Sequence, residues 1–350
     1  MDNLYKTYEK IFQAKKKWKY YKGLKIDELP LKDEETAWTF IEKYYKAGDK
    51  NEVFDKSFKK DTQRNLHSVS VFFLGILLSD LVLGKDYKNK MEPDFRYLWF
   101  IASLYHDYSF RLEGNIKDTD RFSSIEDVFK EYDVKYKIFD EGHKPTFHKN
   151  LVEAYFKYRI EKCKKLDHGI VGGILLYDRL RKNYDIAYER HNDLNPEANK
   201  ECFEHNNLLW SFSQFDFFSE LADTIIAHNI WFCTDSHCES IYENYKLQDL
   251  IIKEKSDFKK KHKRADNPFL FLLVLADTIE PIKRKEFVKY APQELLEKIS
   301  ITAGNDEITI EVLDDTLECK AWFGSIKSLE EWMQVDVKEE LKRISIKINK

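Results

Sequence analysis

Apolar residues recur at helical spacing through six stretches of this chain: Leu66 to Leu83, Tyr97 to His106, Leu151 to Ile160, Gly169 to Leu180, Phe217 to Phe232 and Phe269 to Ile282. Helices are expected to dominate up to about residue 300. Asn267-Pro268 predicts the start of the last of them, because proline suits the first turn, where its missing N–H would have no partner anyway. Pro281 predicts its end. Beyond Ile299 the period changes to two: Ile299-Ser300-Ile301-Thr302, Ile308 to Val312 and Ile344 to Ile348 alternate apolar with polar residues and predict strands. Gly324 to Met333 between them reads as a short amphipathic helix. The expected fold is mainly α, a helical bundle with a small C-terminal α+β appendage that needs the helical body to pack against. The pattern divides the chain into an N-terminal helical extension (1–60), a helical body (61–298) and a small α+β region (299–350). Two polar connections, Arg111 to Lys149 and Asn183 to Asn207, are long enough to carry helices of their own or to shape a site entrance.

Composition agrees with long helices and few tight turns: aromatic residues make up 15% of 350 residues, against 11 glycines and 7 prolines. At 43% hydrophobic the chain can build a sizeable core. The 58 basic and 62 acidic residues nearly cancel to −4, so no global field draws the protein to nucleic acid or lipid, and any polyanion site must be local. The strongest local positive run is Lys253 to Arg264, which reads either as a solvated loop or as a phosphate or nucleic-acid contact. Lys15-Lys16-Lys17-Trp18-Lys19-Tyr20-Tyr21 carries the same two readings. Five cysteines, Cys163, Cys202, Cys233, Cys238 and Cys319, are odd in number and show no paired scaffold spacing, which fits a reducing compartment. No apolar run is read as reaching the length of a membrane span, and Met1 to Lys19 is not signal-like, so a cytoplasmic protein with no membrane partner is expected.

The chemistry lies on the apolar segments. His67, His106-Asp107, His168, His228 and Asp277 stand where core helices ordinarily carry aliphatic residues. A single histidine on such a face is ordinarily a satisfied core residue, but buried ionisable groups cost several kcal/mol unless paired or bound to metal, and five segments call for one shared cause. A metal site supplies it. Imidazole and carboxylate donors suit Mn, Fe, Co, Ni or Zn. Adjacent His106 and Asp107 are about 100° apart around a helix axis, so both can face one centre only at a helix end. Arg64, one turn before His67, Arg111, four residues after Asp107, and Lys283-Arg284 are candidates to meet an anionic ligand, or ordinary surface cations. Asp223 and Asp167 either orient a ligand imidazole or close a helix end. His143 and His148 read as loop residues, and Cys233, His237 and Cys238 lack the fourth ligand of a structural zinc site.

The order His67, His106-Asp107, Asp277 resembles the metal signature of the HD-domain phosphohydrolase superfamily, an all-helical fold in which those four side chains hold a divalent cation. With His168 and His228 added, it resembles the subgroup with the pattern H, HD, H, H, D, which binds a second metal and bridges both with the shared aspartate, here Asp107. The likeness spans roughly residues 60 to 285 and makes 61–298 the HD-type domain. It implies one or two divalent ions (Mn, Fe, Co, Ni, Mg or Zn), hydrolysis of a phosphoester by metal-activated water, and catalytic roles for Asp107, Arg64 and Arg111. The implied partner is a small phosphorylated molecule, foremost a nucleotide; Tyr105, Tyr108, Phe110, Trp210, Phe212 and Trp231 read equally as a stacking surface for its base or as core filler. Ala276 to Arg284 is also similar to the end of HD hydrolases of dinucleoside polyphosphates.

The pattern has departures. Tyr108-Ser109-Phe110-Arg111 stands where many binuclear members carry a glycine and a lysine, and Asn229-Ile230-Trp231 stands where cyclic-di-GMP enzymes carry GYP. Two alternatives stay open: a nuclease of single-stranded nucleic acid, which would need a basic groove, and a nucleotide-binding module without turnover.

Overall fold

The structure is a computed structural model. It describes residues 2–14, 26–47, 64–89, 95–113, 121–140, 144–197, 202–205, 208–253, 260–304 and 306–349. Its helices, numbered along the chain, begin with α1 (Leu4–Gln13), α2 (Glu34–Ala47), α3 (Asn65–Val82), α4 (Lys85–Asn89), α5 (Phe95–Tyr105) and α6 (Phe110–Glu113). There follow α7 (Ile125–Glu131), α8 (Lys149–Glu161), α9 (His168–Leu194), α10 (Gln214–His228), α11 (Ser236–Asn244), α12 (Pro268–Ile279), α13 (Pro292–Glu297), α14 (Lys320–Lys327) and α15 (Leu329–Trp332). A hairpin of β1 (Cys202–His205) and β2 (Leu208–Ser211) interrupts them. The fold is mainly α, as expected.

Two helices are apolar almost all round and are buried accordingly. α3 hides Leu66 to Leu74 without a break, and α12 hides Phe269 to Ala276. By length and composition α3 could cross a membrane: 18 residues at a mean hydropathy of 1.6, against the expectation that no run reaches a span. Ser68, Ser70, Gly75 and Ser79 interrupt the apolar letters without lowering the mean enough. Since 78% of it is buried inside the protein, it is a core helix. Asn267 caps α12 by accepting from Leu270 N at 2.9 Å, with Pro268 in the first turn, and the helix stops at Ile279, two residues before Pro281.

α9 and α10 form the most extensively packed helix pair. Glycine permits their approach: a Cβ on Gly169 would lie 2.7 Å from Ile225 O, and one on Gly173 would lie 2.5 Å from Ala222 O. α9 runs to Leu194, well past the expected end at Leu180, because Asn183, Tyr184 and Ala187 continue its buried face.

The C-terminal strands β3 (Ile299–Gly304), β4 (Glu307–Val312), β5 (Val335–Glu340) and β6 (Arg343–Ile348) form one antiparallel sheet in the order β3-β4-β6-β5. Register pairs Ile301 with Ile310, Ile310 with Ile344 and Ile346 with Val337, so the period-two isoleucines share the buried face. β5 carries only Val335 and Val337 inward and escaped the sequence pattern. The helix expected at Gly324 to Met333 is two, α14 and α15. Buried Trp322 of α14 donates its indole N–H to Ile279 O at 2.9 Å, tying this region to the end of α12. A single cluster of buried side chains runs from Leu4 to Ile348.

The cysteines depart from expectation. Cys233 and Cys238 form a disulfide, with Cα atoms 5.8 Å apart. The turn into α11 folds both sulfurs onto the Asp235 carbonyl, 3.2 Å from each. This removes the pair from any zinc site.

Gly173→Ala is expected to destabilise the protein by about 1–3 kcal/mol, since its methyl group meets backbone that cannot rotate away. Urea unfolding checks this, and an unchanged midpoint would mean that the α9–α10 contact is looser than described.

Candidate metal centre

Every sequence-designated ligand sits at a helix end, where no further turn shields its side chain. His67 is in the first turn of α3, whose free N–H groups at Asn65 and Leu66 donate to Glu34 Oε2 at 2.9 and 3.1 Å. α5 ends at Tyr105, so His106 and Asp107 fall in the turn that follows, with Tyr108 N donating to Tyr105 O and Phe110 N to Asp107 O. The adjacent pair can thus face one centre. His168 opens α9, His228 closes α10 and Asp277 lies in the last turn of α12.

These six side chains converge. His67 Nε2 lies 3.2 Å from His106 Nε2, 2.9 Å from Asp277 Oδ1 and 3.5 Å from Asp107 Oδ2. His106 Nε2 is 3.3 Å from Asp277 Oδ1. The other oxygen of the same carboxylate, Asp107 Oδ1, is 3.4 Å from His168 Nε2. The His228 ring stands 5.6 Å from His106 and 5.4 Å from His168, between centroids. The result is two groups that can each hold a metal ion, His67–His106–Asp107 and Asp107–His168–His228, with ligand atoms within 4.8 Å of one another in each. Asp107 belongs to both.

Each imidazole uses Nδ1 elsewhere. His67 Nδ1 is 2.8 Å from Glu280 Oε2, and His168 Nδ1 is 2.5 Å from Glu113 Oε2. His106 Nδ1 donates to Ser103 O and His228 Nδ1 to Ile225 O, both at 2.6 Å. All four tautomers therefore leave Nε2 for the centre. Two such nitrogens at 3.2 Å repel unless a proton or a cation lies between them, so the donor set fits a divalent cation that accepts nitrogen and oxygen.

Electrostatics point the same way. Burial opposes charge on Asp107, yet His106, His67, Arg64 and His168 hold it far below the usual carboxylate range. Asp277 is likewise held down against burial by Lys283, His106 and His67. Burial, with Lys283, works against charge on His67, but its bonds to Asp277 and Glu280 outweigh both and raise it. His168 is raised against burial by Glu113 and Asp107. His228 is pushed down to about 3 by burial and by the positive charge of His168 and His106.

Arg64, partly exposed, donates from Nη1 to Asp107 Oδ2 at 2.8 Å and lies over the Phe110 ring at 3.6 Å. Lys283, read as a candidate anion contact or an ordinary surface cation, pairs with Asp277, and Arg284 donates to the Thr278 carbonyl. The side chain of Arg111 lies outside the described residues, as do Lys15 to Tyr21 and His143. Asp223 accepts from Thr146 N at 3.0 Å and from Thr146 Oγ1 at 2.6 Å, while the Nδ1 atoms of the four candidate ligand imidazoles bond to other groups. Asp167 caps α9 through Ile170 N and accepts from Asn229 Nδ2. Of the basic run, Lys260 donates to Ile251 O, Lys261 to Glu330 O and Arg264 to Leu81 O, while 254–259 lie outside the described residues. Tyr105 and Tyr108 stack on each other 4.1 Å apart, buried under Arg179, and Trp210 packs on Tyr184, so neither group faces the centre as a free platform. Sequence reading missed Glu113 and Glu280. Glu280 stands three residues after Asp277, one turn on, which was the available signal; Glu113 follows a helix break and left none.

The chain matches no family model, no curated protein and no solved structure.

Cation entry must displace any proton on His67 and His168, both raised above 6.5. Apparent Mn2+ affinity is therefore expected to be weaker at about pH 6 than at about pH 8, with protons released on binding. Calorimetry in two buffers of different ionisation enthalpy checks this. Equal affinity at both values with no proton release would contradict the ligand assignment.

Proposed function

We infer that this chain is a metal-dependent phosphohydrolase of the HD type, acting on a phosphoester of a nucleotide or a related small molecule. The observation that carries this reading is one buried carboxylate, Asp107, placed with an oxygen toward each of two imidazole pairs. His67, His106, Asp107 and Asp277 would hold one divalent cation, and Asp107, His168 and His228 a second. Cations so placed supply polarisation of phosphoryl oxygens and activation of water for in-line displacement.

The chain's own residues supply the rest. Asp107 fixes both halves with one side chain. Arg64, held flat by Phe110 and hydrogen-bonded to Asp107, keeps further N–H donors for a phosphoryl oxygen. Lys283 balances the charge of Asp277 and can turn from it to an anionic substrate. Lys260, Lys261 and Arg264 of the basic run donate to backbone carbonyls of the body and the C-terminal region, which leaves fewer of its cations for the groove a nuclease needs.

Elemental analysis of purified protein, with a hydrolysis screen over nucleotides, phosphodiesters and single-stranded nucleic acid, tests the reading. Metal at one or two equivalents is expected, and Asp107→Ala should lower turnover at least about a hundredfold, since loss of a ligand exceeds loss of its supporting partner. Metal-free protein without turnover after reconstitution would leave a binding module. Arg64→Lys is expected to raise KM for the preferred substrate, because an ammonium neither stacks on Phe110 nor presents a fork of donors; steady-state kinetics with an unchanged KM would remove Arg64 from substrate binding.

A further inference from the structure

The two halves of the centre are supported alike. In each, one imidazole is backed by a carboxylate and the other by a main-chain carbonyl of its own helix turn: Glu280 behind His67 and Ser103 O behind His106, then Glu113 behind His168 and Ile225 O behind His228. The repetition has no common sequence origin, since Glu280 follows α12 and Glu113 ends α6.

The two glutamates are held differently. Glu280 is fully buried and accepts from the backbone N–H of Ile282 at 2.8 Å and of Lys283 at 3.1 Å, so its orientation is fixed by the turn that ends α12. Glu113 accepts from Arg159 Nη2 at 2.6 Å through its other oxygen, with Lys165 at 3.9 Å, and Arg159 in turn lies 3.5 Å from Asp167. His67 is thus the cationic side chain paired with Glu280 among the described residues, whereas Glu113 divides its charge between His168 and Arg159.

A carboxylate on Nδ1 fixes the tautomer and raises the basicity of Nε2, so each glutamate acts on the half-site its own imidazole faces. The geometry points to Glu280 and Glu113 as positioning residues that set the cation affinity of the two halves separately, Glu280 for the half built on His67 and His106, and Glu113 for the half built on His168 and His228. This rests on the binuclear reading above. Glu280, which shares its charge with no Arg or Lys side chain among the described residues, exerts the larger effect.

Chelator-stripped full-length protein titrated with Mn2+ alone, with free Mn2+ read by electron paramagnetic resonance, tests the assignment. Wild type is expected to take two ions. Glu113→Ala should weaken one of the two by about 10–100-fold and leave the other, Glu280→Ala should weaken the other, and Glu113→Gln and Glu280→Gln, which keep an acceptor for Nδ1 but lose the charge, should recover part of each loss. In a His168→Ala background Glu113→Ala should add nothing, while Glu280→Gln still weakens the remaining ion. The Gln variants carry the test if an Ala variant does not fold.

Equal weakening of both ions by either glutamate variant, or a Glu113→Ala effect that persists without His168, overturns the assignment. A wild-type stoichiometry of one overturns it and leaves the hydrolase reading standing; a stoichiometry of zero overturns both.

Discussion

A carboxylate that remains ionised inside the protein is the constraint to which the rest of this structure answers. Asp107 is buried, and burial alone would drive it to its neutral form. It stays charged because imidazoles approach both of its oxygens and a guanidinium donates to Oδ2. Removing one of these partners leaves a buried charge less fully compensated, so the candidate ligands, fold and stability are coupled at one residue.

The scaffold meets that constraint by ending helices at one point. Glu34 reaches from α2 to cap α3 above His67, α5 breaks between Tyr105 and His106, and the glycines of α9 bring His168 and His228 within a ring's width of each other. The C-terminal region contributes indirectly: Trp322 holds the end of α12, the helix that carries Asp277 and is followed at once by Glu280. Residues remote from the centre in sequence thereby govern the angle at which its ligands enter.

Much of this was legible from residue order. A histidine or aspartate on an otherwise apolar helix is costly, so His67, His106, Asp107, His168, His228 and Asp277 announced themselves, and the structure gathers all six. Period-two isoleucines announced β3, β4 and β6, whereas β5, polar along half its length, and the β1–β2 hairpin did not. What escaped were residues whose role is relational. Glu113 is one acid among 62 acidic residues until α6 turns it toward His168. The Cys233–Cys238 disulfide depends on a turn that no spacing rule encodes. Lysines of the basic run that looked free are drawn into main-chain carbonyls, which only tertiary packing decides.

The central claim is that Asp107 is shared by two cation-binding halves. An anomalous-difference map from crystals grown with Mn2+ addresses it directly. Two peaks about 3.5–4 Å apart, one on each side of the Asp107 carboxylate, are the expected result. A single peak on His67, His106, Asp107 and Asp277 with none against His168 and His228, or no peak at the centre, would contradict it.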